Sequence, residues 1–273
     1  MSLEPLYDSA QCGSPEIREL REIWRYRALL VQLIRRDLVT RYKRSVIGVI
    51  WTMLHPLGMM LILTLVFAHL FGNKRGASAY LLSGLVAWNF FSYSTMTSMN
   101  NLLWGGTLLR RIYIPPTSFA LSAVGTGLVN FFISLVPLIG VMLVVGQPIT
   151  NSVFYLPIPM LLLAMFALGM AMLLCSVAVF FYDVAEMYVI LLNAWFYLTP
   201  ILYPEEMLRN KGRGWLLHYN PMYYFLKLFR KPIYDGLAPT WGDCYPAILL
   251  AIAALVVGWS VYTRKSREFA YRV

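Results

Sequence analysis

Long apolar runs alternate along this chain with short polar segments that carry most of the charge. A helix of about 20 apolar residues crosses the ~30 Å hydrocarbon core of a bilayer. The pattern therefore predicts six membrane-spanning helices, at about 47–71, 80–104, 118–146, 155–181, 187–203 and 244–263. The fifth is the shortest, and Pro137 in the third either kinks that helix or marks where it leaves the membrane.

The residues before the first run change from polar to amphipathic. Gly13, Ser14 and Pro15 interrupt any early periodicity, so residues 1–22 are predicted to form a cytoplasmic arm. From 23 to 46, apolar residues recur at helical spacing among basic ones. This pattern predicts an amphipathic helix that lies in the membrane interface.

The segment 204–243, between the fifth and sixth runs, is aromatic although it holds six Lys and Arg. We expect one or two short helices that dip into the outer leaflet, with basic side chains reaching outward. A small ordered extracellular cap is the alternative. Residues 264–273 are predicted to form a cytoplasmic tail.

Composition agrees with an all-α polytopic membrane protein. The chain is 59% hydrophobic and only 13% charged, whereas soluble domains are roughly a quarter charged. With the N-terminus inside, most of the 23 Lys and Arg fall on the cytoplasmic side, which predicts that both termini are cytoplasmic. The net charge of +10 is concentrated at membrane edges, so it indicates contact with anionic membrane lipid and not with nucleic acid.

Side chains for chemistry or ion coupling are scarce in the predicted spans. The sequence has no phosphate-binding loop of the G-x-x-x-x-G-K-[ST] type, so nucleotide hydrolysis has to come from another polypeptide. His55, His69 and His218 lack neighbouring ligands, and we predict no metal or cofactor bound by this chain. Asp183 and Glu186 alone do not make an acid–base site, which argues against an enzyme.

Polar residues follow one face of the second predicted span. Asn89, Tyr93, Thr97 and Asn100 succeed one another in steps of four, four and three, so they lie above one another on a helix. The stripe either lines a transport path or forms hydrogen bonds between helices, and the sequence leaves both open.

Aromatic residues accompany this stripe and recur in the fifth span. A carbohydrate presents apolar C–H faces and hydroxyls, so rings and small polar groups would let it slide without a deep binding minimum. Packing and membrane-interface belts are the structural alternatives for these rings. The predicted substrate path comprises Trp88, Asn89, Phe91, Tyr93, Thr97, Asn100, Trp195, Tyr197 and Thr199.

Several short motifs occur together over most of the chain. They are Arg36-Asp37-Leu38, the stretch from Arg41 to Trp51, His55-Pro56, the stretch from Ser83 to Phe91, Arg110-Arg111-Ile112-Tyr113, the stretch from Leu198 to Pro204, and Tyr219-Asn220-Pro221. In this order they resemble the permease subunits of type-2 ABC exporters for lipid-linked polysaccharides, namely O-antigen, capsule and teichoic-acid exporters.

The resemblance implies a homodimer of six-helix subunits in a bacterial cytoplasmic (inner) membrane. A dimer of a separate cytoplasmic ABC ATPase would bind ATP and Mg, and the substrate would be a lipid-linked polysaccharide. It also implies two sets of functional residues. Those near the substrate's pyrophosphate at its entry are Arg41, Lys43 and Arg44, and those of the ATPase-coupling segment are Arg110, Arg111 and Tyr113.

Two positions depart from the family pattern. Pro116 and Thr117 stand where relatives commonly have a charged pair, and Tyr182 precedes Asp183 where a basic residue is usual. Detailed docking contacts with the ATPase are therefore not carried over. Two alternatives to polysaccharide export stay open: a type-2 exporter of drugs or small lipids, and a membrane enzyme of glycolipid assembly.

Overall fold

The computed structural model describes residues 15–43, 48–66, 76–105, 115–147, 150–210 and 212–272. Within these ranges it contains eleven α-helices and no strand. The helices are α1 Pro15–Arg25, α2 Arg27–Tyr42, α3 Ile50–Val66, α4 Ala77–Trp104, α5 Thr117–Val145, α6 Pro157–Ala178, α7 Val184–Leu198, α8 Glu205–Asn210, α9 Trp215–Tyr219, α10 Pro221–Arg230 and α11 Trp241–Arg272. A 3-10 turn spans Asn151–Tyr155, and a π turn spans Lys231–Asp235. The predicted all-α class is confirmed.

Six of these helices follow the order of the six predicted spans. Among the described residues, α5, α11 and α6 with its preceding turn are long and apolar enough to cross a membrane. Helices α3 and α7 are apolar but shorter. Helix α4 is long, with 28 residues, but its Ser, Thr and Asn residues lower its hydropathy. Pro137 does not end α5, which continues to Val145.

Two helix ends differ from the predicted bounds. Helix α7 has 15 residues and ends at Leu198, so it is about 22 Å long. It stops before 203 because Thr199 precedes Pro200 and adopts an extended backbone, and a residue before proline disfavours the helical region. Helix α11 runs on to Arg272, so most of the predicted tail continues the last helix.

The N-terminal region is also more helical than its pattern predicted. Helix α1 begins at Pro15, within the predicted arm, because proline is well suited to the first position of a helix. A turn at Tyr26 then separates α1 from α2, so two helices replace the single one expected. Helix α1 is attached to the bundle: Glu19 is buried and accepts a hydrogen bond from the hydroxyl of Thr117, the first residue of α5.

The core is centred on α4, which packs against α5 and α6. Two chains of rings connect α4 to α10: Phe90, Phe131 and Phe229, with successive centroids 4.9 and 5.3 Å apart, and Phe91, Phe166 and Phe225, with successive centroids 5.6 and 4.7 Å apart. Helix α10 belongs to the segment that the sequence placed in the outer leaflet. Its apolar side chains are buried within the protein.

Candidate functional site

A cavity of about 370 Å³ lies between α3, α4 and α5, beside the end of α2. Its polar lining comes from all four helices, and its walls also include apolar side chains such as Val86 and Phe131. Arg41 contributes a cation, and no Asp or Glu is among the described residues that line the cavity. The site therefore combines one positive charge with neutral hydrogen-bonding groups.

Helix α4 supplies the predicted polar stripe to this cavity. Asn89, Tyr93 and Thr97 all line it, because steps of four residues keep them on the face turned toward α3 and α5. Asn100 continues the sequence pattern but does not line the cavity, and its side chain is exposed near the end of α4. The structure thus brings together three of the four stripe residues.

Arg41, one of the residues predicted for substrate entry, contacts Tyr93 of this stripe. Its guanidinium carbon lies 5.0 Å from the ring centroid of Tyr93, a cation–π arrangement that stabilises by roughly 0.5–1 kcal/mol at exposed sites. Arg41 has no salt bridge among the described residues, whereas the nearby Arg36 pairs with Asp37 at 3.0 Å. The charge of Arg41 is therefore available to a ligand. Lys43 is exposed and does not line the cavity, and Arg44 lies outside the described residues.

Three further lining residues were not predicted as site residues. His55 of α3 and Asn130 of α5 were not among the predicted site residues, yet both line the cavity together with Ser134. Asn130 and Ser134 are four residues apart, so the spacing that identified the stripe on α4 could also have identified this one. His55 stands directly before Pro56 in one of the family-like motifs.

The other predicted aromatic path residues do not line this cavity. Trp88 and Phe91 are buried in the core, where both contact Trp195 of α7, at centroid distances of 6.0 and 5.2 Å. Neither Trp88 nor Phe91 lines the cavity. Tyr197 is 65% exposed on the outer side of α7. Within one subunit, Trp88, Phe91 and Trp195 form a packed cluster and not an open path.

Asn220 connects the end of α7 to α10. Its Oδ1 accepts hydrogen bonds from Trp195 Nε1 at 2.8 Å and from the Met222 backbone at 3.0 Å, and its Nδ2 donates to Thr199 Oγ1 at 2.9 Å. The bond to Met222 caps α10, whose first residue is Pro221. Trp195 and Thr199, both predicted path residues, are thus held by one buried amide.

The predicted coupling residues Arg110, Arg111 and Tyr113 lie outside the described residues. The described residues on either side of them belong to α4, which ends at Trp104, and α5, which begins at Thr117. The Glu19–Thr117 contact therefore joins α1 to the helix that directly follows the coupling segment.

Residues 28–234, which include the cavity and α10, match the family described as ABC-2 type transporter. The chain belongs to this family. The O-antigen export system permease protein RfbA of Myxococcus xanthus is 30% identical over 93% of this chain and 98% of its own length. A permease of the same name from Klebsiella pneumoniae is 26% identical over 89% and 93%. The capsule polysaccharide export inner-membrane protein CtrC of Neisseria meningitidis is 22% identical over 92% and 98%.

The names of these relatives agree with the family assignment. Each is named as an export permease or inner-membrane export protein and is matched over nearly its whole length. The chain is accordingly a multi-pass membrane transport subunit and not an enzyme.

Proposed function

We propose that the chain is the channel-forming permease of an ATP-driven exporter that moves lipid-linked polysaccharide across the bacterial cytoplasmic membrane. The cavity beside α2 is the main support. Arg41, which has no salt bridge to any residue the structure describes, offers a positive charge to a diphosphate, and Asn89 and Thr97 offer hydrogen bonds to the first sugar. Because no carboxylate is among the described lining residues, none of their side chains repels the diphosphate.

The polymer itself needs a second space. A volume of about 370 Å³ suits a small ligand, not a polysaccharide. The centre of the subunit is filled by the ring chains around α4, so it has no room for a glycan. A continuous channel would therefore form between two subunits, with the cavity holding the diphosphate end of the substrate.

Helix α7 is the proposed wall of that channel and a contact of the homodimer. Its outer face exposes Ile190 and Tyr197 together with the amide of Asn193. An amide facing lipid is costly because the hydrocarbon core offers no hydrogen-bond partner. At about 22 Å, α7 is also too short to cross the core alone. Both features favour a face turned toward a second subunit and water.

A separate ABC ATPase dimer would bind ATP and Mg²⁺ and supply the energy. Its docking segment includes Arg110, Arg111 and Tyr113, as the family resemblance implies. Helix α1, near the N-terminus, contacts both the start of α5 and α11, which ends at Arg272. The start of α5, which follows the docking segment in the sequence, therefore lies at the same end of the subunit as α1. That end is the proposed cytoplasmic side.

Translocation in inside-out vesicles tests this function. Vesicles with the chain and its ATPase partner would receive a lipid-linked glycan, and its uptake would be measured as protection from an added glycosidase. We expect protection that requires ATP. Tyr93→Glu should abolish it while ATP hydrolysis continues, because the added carboxylate repels the diphosphate beside Arg41. Normal translocation by this variant would contradict the proposal.

A type-2 exporter of drugs or small lipids is the second candidate, and the cavity size favours it. Cavities of several hundred Å³ hold drug-sized molecules. The two candidates differ in which compound stimulates ATP hydrolysis by the permease–ATPase complex. Polysaccharide export predicts stimulation by a polyprenyl-diphosphate-linked glycan, whereas the alternative predicts stimulation by apolar drugs or glycan-free lipids.

A further inference from the structure

A second pocket, of about 150 Å³, lies at the end of the subunit opposite the termini. It is bounded by the start of α4, the break after α7, the first turn of α8, helix α10 and the π turn. The charged residues in its lining are Glu205, Glu206, Lys227, Arg230 and Asp235. None of them was assigned a role by the sequence patterns.

Arg230 forms the rigid base of this pocket. Its side chain is buried, and its guanidinium carbon lies 3.6 Å from the ring centroid of Tyr80. It donates hydrogen bonds to the carbonyl oxygens of Pro200 at 2.7 Å and Tyr80 at 3.3 Å. Its Nε is buried and has no hydrogen-bond partner among the described residues. The base therefore keeps one donor unused.

One side of the pocket is held by a tyrosine–carboxylate contact. The Tyr223 hydroxyl donates to Glu205 Oε2 at 2.5 Å and accepts from Arg209 at 3.2 Å. Burial, with the Glu205 contact second, raises the pKa of Tyr223 to about 12. The phenol stays protonated at neutral pH and continues to donate, so this side of the pocket is fixed.

The other carboxylates in the lining are uncommitted. Glu206 and Asp235 form no hydrogen bond or salt bridge with any part of the chain that the structure describes. An ionised carboxylate only accepts hydrogen bonds and offers several lone pairs. Tyr234 also lines the pocket and packs edge-on against Tyr80, with ring centroids 5.5 Å apart. The free groups are thus acceptors beside an aromatic surface.

We propose that this pocket binds a single neutral sugar unit of the exported glycan, a role that rests on the function proposed above. Sugar hydroxyls both donate and accept, so they can donate to Glu206 and Asp235 and accept from Lys227, which also lines the pocket. Lys227 and Arg230 offset two of the three carboxylates, which leaves little net charge to hold a compact cation, and the carboxylates repel a phosphate. Among the described residues, no group of three potential ligands could hold a metal ion.

The pocket would therefore hold the glycan, and not its lipid anchor, at the external end of the permease. It lies next to the break after α7, the helix proposed to line the channel. A sugar unit leaving the channel would meet acceptors here before it reaches the outer water layer. Such weak contact at the exit would favour onward movement over return.

Saturation-transfer NMR on the complete permease–ATPase complex in nanodiscs tests the site. The probes are glucose, galactose, mannose, rhamnose and N-acetylglucosamine. We expect at least one to give a signal that the double variant Glu206→Gln/Asp235→Asn lowers at least about tenfold, because two charge-assisted hydrogen bonds weaken. Glu186→Gln removes an exposed carboxylate on α7 and should leave the signal unchanged.

The single variants and their midpoints of thermal unfolding distinguish a loss of sugar binding from a loss of folding. Both carboxylates lie in a pocket lining and not in the core, so each single variant should retain the wild-type midpoint and lose part of the signal. Absence of a signal from every sugar, or a wild-type signal from the double variant, would overturn the site. Sugar binding by the pocket without ATP-driven glycan translocation would instead overturn the proposed function.

Discussion

The cavity beside α2 and the pocket beside α10 carry net charges of opposite sign among their described lining residues. The cavity has Arg41 and no carboxylate, whereas the pocket has three carboxylates against Lys227 and Arg230. A diphosphate is stabilised in the first and repelled by the second. A neutral sugar can hydrogen-bond in both. The difference gives a substrate with an anionic end and a sugar chain one preferred orientation along the subunit.

The largest effect should follow from reversing the charge of the cavity. Arg41→Glu places a carboxylate beside Tyr93 and removes the cation. Loss of a close charge contact costs about 2–5 kcal/mol, so glycan translocation should fall on the order of 30-fold or more, with ATP hydrolysis retained. Arg35→Glu makes the same change at an exposed position of α2 outside the cavity. Equal losses in both variants would remove the site-specific role of Arg41.

A stability change should reveal how tightly the base of the pocket is packed. A Cβ atom at Gly84 would lie 2.5 Å from Arg230 Nη2 and 3.1 Å from Ile201 Cγ2. Gly84→Ala should therefore displace the guanidinium and destabilise the protein by about 1–3 kcal/mol. Gly140→Ala, on α5, has no atom within 4 Å of its new Cβ and should be neutral or slightly stabilising. Thermal midpoints in detergent compare them.

A smaller loss of translocation should distinguish Asn89 from Asn100, at the two ends of the polar stripe on α4. Asn89→Leu removes hydrogen-bonding groups from the cavity lining and should lower translocation about fivefold, which corresponds to one hydrogen bond of ~1 kcal/mol. Asn100→Leu changes the same residue type outside the cavity and should leave translocation near the wild-type level. The reverse ranking would show that the path follows the sequence stripe and not the cavity.

The smallest effect should be a pH dependence confined to the pocket. Burial raises the pKa of Asp235, with Lys231 opposing and Glu205 adding to the shift. The charged groups around it are Glu205, Lys227, Arg230 and Lys231. Because the ionised form accepts sugar hydroxyls, binding should weaken as pH falls through this raised pKa, above the ~3.9 of an ordinary Asp. Asp235→Asn should lose that step in an NMR titration of sugar binding, and an unchanged pH profile in this variant would contradict the assignment.

The sequence predicted the cavity better than the pocket. Asn89, Tyr93 and Thr97 share one face of one helix, and the 3.6-residue period makes such a face visible in the sequence. The burial of Trp88 and Phe91 was not visible, because it depends on which helices pack beside α4. Hydrophobic period alone cannot separate a ring that lines a channel from a ring that packs.

The pocket and the N-terminal helices show where the sequence pattern is insufficient. Pro200 follows the end of α7, Glu205 begins α8 and Asp235 ends the π turn, and no period relates them. Their proximity depends on Arg230, which contacts segments up to 150 residues away in the chain. The start of α1 at Pro15 was missed because Gly13, Ser14 and Pro15 were taken as a continuous interruption, whereas the proline begins the helix.

Photocrosslinking from position 93 tests the central claim most directly. Tyr93→p-benzoylphenylalanine would place a photoreactive ring in the cavity, and Val144→p-benzoylphenylalanine would place it on the outer face of α5, where Val144 is 89% exposed. With a polyprenyl-diphosphate-linked oligosaccharide in nanodiscs, we predict a crosslink from position 93 that excess glycan-linked lipid competes away. Equal crosslinking from both positions, or none from position 93, would contradict binding of the substrate's diphosphate end in this cavity.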